Sequence, residues 1–155
     1  GNTAYLATSD PNEELKIFDV SDPAYMSEIG HFNATGTEAS NSLYLVGSTL
    51  YFGRVTGIDN EFYILNVSNP GSIQLLGSQH IGSSVNGIRV RDNLAFLGTD
   101  DANKEFQVWN IANPASITFW SSYNFPQVAS GVDYENNVVY VAVRSNDALR
   151  IITSR

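Results

Sequence analysis

Cysteine is absent from the 155 residues, methionine occurs once, and lysine occurs only at positions 16 and 104. Without cysteine the chain has no disulfide framework, no thiol nucleophile and no thiolate metal site. The scarcity of lysine, six scattered arginines and a net charge of −8 exclude a basic stripe for a phosphate backbone. The same balance disfavours an anionic membrane surface, and no apolar run approaches the roughly 20 residues of a spanning helix. No nucleic-acid partner and no membrane insertion are therefore expected. Charged residues make up only 15% of the chain, against 43% hydrophobic and 12% aromatic. That composition is too apolar for a disordered tail and sufficient for a packed core. The chain starts with neither Met nor a leader, which reads as a mature or excised piece.

What the chain does contain is repetition. Ile17-Phe18-Asp19-Val20-Ser21-Asp22-Pro23 returns as Ile64-Leu65-Asn66-Val67-Ser68-Asn69-Pro70 and as Val108-Trp109-Asn110-Ile111-Ala112-Asn113-Pro114. A shorter copy is Leu149-Arg150-Ile151-Ile152. Anchored on Ile17, Ile64, Val108 and Ile151, the steps are 47, 44 and 43 residues. A period in the forties, built from short strands and turn residues, predicts an all-β propeller of four-stranded antiparallel blades.

Each unit divides into strands A to D. Strand A is centred on Leu43–Val46, Gly87–Val90 and Gly131–Tyr134, and strand B on Leu50–Gly53, Leu94–Gly98 and Val138–Ala142. Strand C carries the repeated sequence, and strand D covers Met26–Gly30, Ile73–Gly77 and Ile117–Ser121. Gly47, Asp92-Asn93 and Asn136-Asn137 supply A–B turns that tolerate positive φ. The near-continuous apolar runs fit sheets covered on both faces, and no segment has capped helical periodicity. The chain is read as a single propeller segment over 1–155, with units 1–41 (BCD), 42–84 (ABCD), 85–128 (ABCD) and 129–155 (ABC). Both terminal blades are one strand short in this reading. The expected consequence is either self-association or docking against the remaining blades of a longer chain, because a blade in a stack needs a neighbour on each face.

The repeat resembles the LVIVD family, whose units combine a V-x-V-x-G strand, a Y-V-A strand and an L-R-I-F-D-V-S-D-P strand. Leu15 to Pro23 matches nearly letter for letter, and Val138 to Ala142 with Leu149-Arg150-Ile151 carries the pattern in the last unit. Asn66 and Asn110 stand where the family favours Asp. The resemblance implies a β-propeller in a secreted or cell-surface protein of bacterial or archaeal type. It brings no catalytic motif, so no functional residue is transferred through it.

Candidate site residues come from the chain itself. Arg89 and Asp133 are charged members of inner strands, read as one column with Leu45 as their third member. With Tyr44, His31, His80 and Glu38 they are the candidates for a channel or pocket, to be tested by whether they approach one another. Asp19, Asn66, Asn110 and Thr153 share a column whose short acceptors suit Asx turns before the following proline. The B–C loops form an acidic crown, in which Asp100, Asp101, Asn103 and Glu105 are the weak candidates for Ca²⁺, without EF-hand spacing. No H-x-x-x-H, H-E-x-x-H or G-x-S-x-G motif occurs, and no cofactor or catalytic residue is expected. Asn33-Ala34-Thr35 and Asn66-Val67-Ser68 match the glycosylation triplet. Two function classes follow: a non-catalytic scaffold binding a protein or a glycan, and a hydrolase or lyase with a polar site at the channel mouth.

Overall fold

The structure is a computed structural model that describes residues 1–153. Fourteen strands form four antiparallel sheets. Sheet 1 contains β1 (Thr3–Ala7), β2 (Leu15–Asp19) and β3 (Ser27–Phe32). Sheet 2 contains β4 (Ser40–Val46), β5 (Thr49–Arg54), β6 (Phe62–Asn66) and β7 (Gln74–Gln79). Sheet 3 contains β8 (Val85–Arg91), β9 (Leu94–Thr99), β10 (Phe106–Asn110) and β11 (Thr118–Tyr123). Sheet 4 contains β12 (Ala129–Glu135), β13 (Val138–Val143) and β14 (Leu149–Thr153). Each sheet is an up-and-down meander, so the blade-like units follow one another along the chain. Among the described residues no helix is long and apolar enough to cross a membrane.

The repeat registers as expected at the turns. Gly47 has φ 59°, and Asp92, Asn136 and Asn137 have φ of 52°, 51° and 64°. These are left-handed values that Gly, Asn and Asp reach at least cost. Asp19, Asn66 and Asn110 each accept a backbone N–H from the residue two positions on, at 2.8, 3.0 and 2.9 Å. The column therefore closes the C–D turn. Among the described residues the expectation of no helix holds for α-helix, but Pro70–Ser72 and Pro114–Ser116 form single 3₁₀ turns. Proline fixes φ near the helical value and needs no N–H partner at that position.

Burial follows the two-residue period of a strand. In β9, Ala95 and Leu97 face sheet 2, whereas Phe96 faces sheet 4. In β6, Tyr63 and Leu65 face sheet 1, whereas Phe62 and Ile64 face sheet 3. The core is thus three separate joints. Leu15 and Ile17 meet Leu50, Phe52, Tyr63 and Leu65; Tyr51, Phe62 and Ile64 meet Ile88, Leu97 and Trp109; Phe96, Phe106 and Val108 meet Val132, Val139 and Val141.

A second contact ties the outer strands. Gly30 of β3 lies against the Pro70 turn of sheet 2, and Gly77 of β7 lies against the Pro114 turn of sheet 3. A Cβ at either glycine would fall inside van der Waals contact with the proline carbonyl oxygen. At the third joint Ser121 takes the glycine position opposite Val108, and a cleft of about 380 Å³ opens there between Phe106, Val108, Tyr134 and Ile152. The 3₁₀ turn is backbone on both sides of the contact and has no flexible end to yield. Gly77→Ala is accordingly expected to destabilise the chain by about 1–3 kcal/mol through overpacking. Urea unfolding checks this, with Gly47→Ala, which meets no neighbouring atom, as the comparison for backbone cost alone.

Candidate functional site

Strand register places Tyr44, Arg89 and Asp133 in one column: they oppose Tyr51, Phe96 and Tyr140. This corrects the sequence reading by one position, because Tyr44 and not Leu45 is the third member. A β-bulge lies at the same place in every inner strand, at Ser40/Ser42, Val85/Gly87 and Ala129/Gly131, so it offsets none of them from another. The offset arises at the turn, because Thr49 holds the strand position of Leu94 and Val138, and matching the apolar Leu50 to them slips the alignment by one. The three side chains meet in sequence across the joints. The Arg89 guanidinium lies 4.7 Å from the Tyr44 ring centroid, and its Nε donates to Asp133 Oδ1 at 2.7 Å. That hydrogen bond holds the Asp133 carboxyl below its ordinary range. Asn41 Nδ2 donates to Asn86 Oδ1 at 2.7 Å, and Asn86 Nδ2 donates to the Ala129 carbonyl at 3.0 Å. The inner strands are thus laced together by polar side chains at the bulges and by a cation sandwiched between a ring and a carboxylate.

The remaining pocket candidates lie elsewhere. Among the described residues no hydrogen bond joins Glu38, His31 or His80 to Arg89 or Asp133. Glu38 belongs instead to the surroundings of Arg54, a fully buried cation. Arg54 donates to Glu14 Oε1 at 2.7 Å, Glu38 Oε2 at 2.9 Å, the Thr35 carbonyl at 2.8 Å and Tyr63 Oη at 3.1 Å. The Glu38 and Asn60 carbonyls, at 3.2 and 3.3 Å, complete the set. Glu38 is held below its ordinary 4.5, chiefly by its own backbone N–H. Burial pushes Glu14 above 4.5, against the opposing pull of Ala34 N–H and Arg54. His31 is half exposed beside Glu28 at 3.1 Å and Glu13 at 3.7 Å. His80 Nδ1 is 3.2 Å from both Glu61 Oε2 and the Asp59 carbonyl.

The structure also shows a repeat feature that the sequence reading missed. Glu14, Glu61 and Glu105 each stand just before strand C and are buried. Each accepts the backbone N–H of the residue 20 positions later: Ala34 at 2.6 Å, Ile81 at 2.7 Å and Phe125 at 2.7 Å. The signal was available, since the three glutamates share the spacing of the repeat. Ala148 occupies the position in the fourth unit.

Of the weak calcium candidates, Glu105 is buried and spends Oε2 on the Phe125 N–H. Asp100 accepts from Ser84 N at 2.7 Å, and Asp101 accepts from Asn103 N at 2.9 Å, so loop closure already engages these groups. Among the described residues, the one acidic and imidazole group close enough to share an ion is Glu13, Glu28 and His31. Lys16 forms ion pairs with both glutamates of that group, so a cation is already built into it.

The LVIVD repeat profile matches residues 1–34 and 55–80. Two stretches of the chain thus match the LVIVD repeat. In these repeats the first and second units supply the matched strands, and the third and fourth repeat their geometry. No curated protein matches the chain by sequence. Among solved structures it is similar to the computationally designed Ika4 protein, with 13% identity over 99% of this chain and 86% of that one, at a TM-score of 0.70. It is similar at a TM-score of 0.71 to a chain of a nidogen/laminin complex, with 12% identity over 99% of this chain and 56% of that one. It is also similar at 0.71 to a functionally unknown protein from Desulfotomaculum acetoxidans DSM 771, with 16% identity over 94% of this chain and 49% of that one. The chain therefore spans most of the first and about half of the other two. At these identities the likeness concerns the fold.

Two tests follow for the buried groups. Arg54→Met strands Glu14 beside an apolar side chain, and breaking a buried pair costs about 3–5 kcal/mol. A carboxyl raised above its unfolded value stabilises the fold below that unfolded value and loses the contribution as pH rises through the raised one. Removing Arg54 raises Glu14 further. The deficit of Arg54→Met relative to the native chain is therefore expected to be largest at pH 7 and to shrink toward about pH 5, as read from urea midpoints at both pH values. Separately, Glu105→Ala leaves the Phe125 N–H without its acceptor, at a cost of about 1–3 kcal/mol. Amide exchange at Phe125 is expected to accelerate, whereas exchange at Ala34 and Ile81 follows the global change alone.

Proposed function

We propose that this chain is a non-catalytic propeller module that holds a protein or glycan partner outside the cell or at its surface. The observation that carries the non-catalytic reading is the engagement of its titratable groups. Glu14, Glu61 and Glu105 bind backbone, Arg54 is saturated by carboxylates and carbonyls, and Asp133 is paired with Arg89. A general acid or base needs a free proton site beside open space for a substrate; Glu14 is sealed from solvent with both oxygens engaged, and Asp133 is tied to Arg89 and the Tyr134 N–H.

Binding has a different support. The outer strand β11 is an edge strand that exposes Phe119, Trp120 and Tyr123. Aromatic faces on an unpaired strand suit an extended peptide or a sugar ring. The extracellular placement rests on the resemblance to the LVIVD family, and the lack of cysteine and of a basic surface is compatible with it.

Trp120 is 65% exposed and Trp109 is buried, so tryptophan emission provides the readout. Titration with a panel of oligosaccharides and extended peptides is expected to shift that emission, and Trp120→Ala is expected to abolish the shift without loss of the sheet dichroism. Chromogenic esters, phosphates and glycosides are expected to show no turnover above buffer. Turnover removed by Asp133→Ala or Arg89→Ala in a folded chain would overturn the non-catalytic reading.

A further inference from the structure

The three joints treat one buried glutamate in three ways. At each, the glutamate ahead of strand C spends one carboxylate oxygen on the linker N–H 20 positions later. What meets the other oxygen differs. Arg54, Thr99 and Val143 share one register position in the following sheets, opposite Ser40, Val85 and Ala129. At the first joint Arg54 Nη2 donates to Glu14 Oε1 at 2.7 Å. At the second, the Thr99 hydroxyl is spent on the Lys104 carbonyl, and Glu61 Oε1 is buried without a partner. At the third, Val143 has no side-chain donor, and among the described residues no hydrogen bond or ion pair engages Glu105 Oε1.

A cavity of about 390 Å³ opens at this third glutamate. Its wall combines Glu105 and Asp100 with Asn124 and Gln127, and Phe125 and Pro126 add apolar surface. All of these belong to two internal stretches, the B–C loop of sheet 3 and the linker from β11 to β12, and neither end of the chain lines the cavity. Gln127 stands two residues ahead of Ala129, as Glu38 stands two ahead of Ser40. The cavity therefore has an acceptor where the first joint places its second carboxylate on Arg54. Glu105 is 4% exposed, so its charge has little water to solvate it. The cations of the neighbouring loops point elsewhere, since Lys104 pairs with Asp101 at 4.0 Å and Arg150 with Asp147 at 3.0 Å.

We propose that this cavity binds a guanidinium group, which takes at the third joint the place that Arg54 takes at the first. A guanidinium is planar, weakly hydrated and rich in donors, so it suits a buried carboxylate, amide carbonyls and apolar walls together. Ca²⁺ would ask for about six to eight converging oxygens, which a wall shared with Phe125 and Pro126 does not offer. The ligand is either an arginine side chain of a partner protein or a free guanidino compound. The site is separate from the β11 edge and does not depend on it.

Methylguanidinium chloride titrated into the nitrogen-labelled chain is expected to give saturable resonance shifts at the Phe125 amide and the Gln127 side-chain amide, beyond those of sodium chloride at equal ionic strength. Glu105→Gln keeps an acceptor for the Phe125 N–H and removes the charge, and it is expected to weaken binding by about tenfold or more. Ala102→Lys alters an exposed loop residue at the cavity and places a cation there, so a similar loss is expected with the fold untouched. Trp120→Ala is expected to bind methylguanidinium like the native chain, which separates this site from the edge strand. A blocked tripeptide with a central arginine that binds tighter than methylguanidinium assigns the ligand to a partner protein, and free arginine binding tighter assigns it to a small molecule. The absence of a saturable shift at tens of millimolar overturns the proposal. So do equal shifts with methylammonium or Ca²⁺, and so does binding undiminished in a folded Glu105→Gln chain.

Discussion

Everything in this chain depends on the strand's alternation of side chains between two faces that are both dry. In most antiparallel sheets one face meets water, and the polar half of the alternation pays for solubility. Here the central sheets are apolar on both faces, and each buries one set of residues forward and another backward. Tyr51 and Phe52 are neighbours in sequence yet belong to different joints. No residue set serves two joints, so the fold is a series of nearest-neighbour contacts rather than one core. Solubility falls to the loops and edges, which explains a chain with few charges and many Ser, Thr and Asn side chains.

Polar chemistry serves that same stacking. A sheet-to-sheet joint leaves backbone N–H groups at the linkers between blades, where water is excluded and an unpaired donor is costly. Glu14, Glu61 and Glu105 supply the acceptors. At the first joint Arg54 neutralises Glu14 and draws in Glu38, and at the second Thr99 stands in the Arg54 position and donates to the Lys104 carbonyl at 3.0 Å. The position is thus charged and paired at the first joint and neutral at the second, where Glu61 Oε1 is left without a hydrogen-bond partner. The Tyr44–Arg89–Asp133 column does comparable work along the inner strands at higher exposure, and its contribution is correspondingly more sensitive to salt.

The fold was legible because its signals are repeated. Three copies of the strand-C sequence, three hairpin turns and three prolines fix the period, and each turn residue adopts the conformation its chemistry favours. Strand D runs two residues beyond the sequence reading, as where β7 extends to Gln79 and polar side chains follow the apolar run. Less of the site was legible. The apolar pattern puts Leu45 in a column that belongs to Tyr44, because polar Thr49 fills the strand position that Leu94 and Val138 fill with apolar side chains. Glu38 and Arg54 meet across 16 residues and two elements, and neither recurs in the other units. The buried glutamates did recur, but an acidic residue before a strand reads first as a solvated hairpin tip. Burial, not identity, separates the two cases.

The glutamate ties have a kinetic side as well. Each closes a loop of 20 residues, from the start of strand C to the linker that leads into the next unit. Closing a loop of that length costs little more than closing a hairpin, because the entropic penalty grows only logarithmically. Each of the first three units can thus be secured by contacts short in sequence before any later unit exists, and the link it secures is the one that delivers the next sheet. The chain is built to grow blade upon blade in the order in which a ribosome would release it.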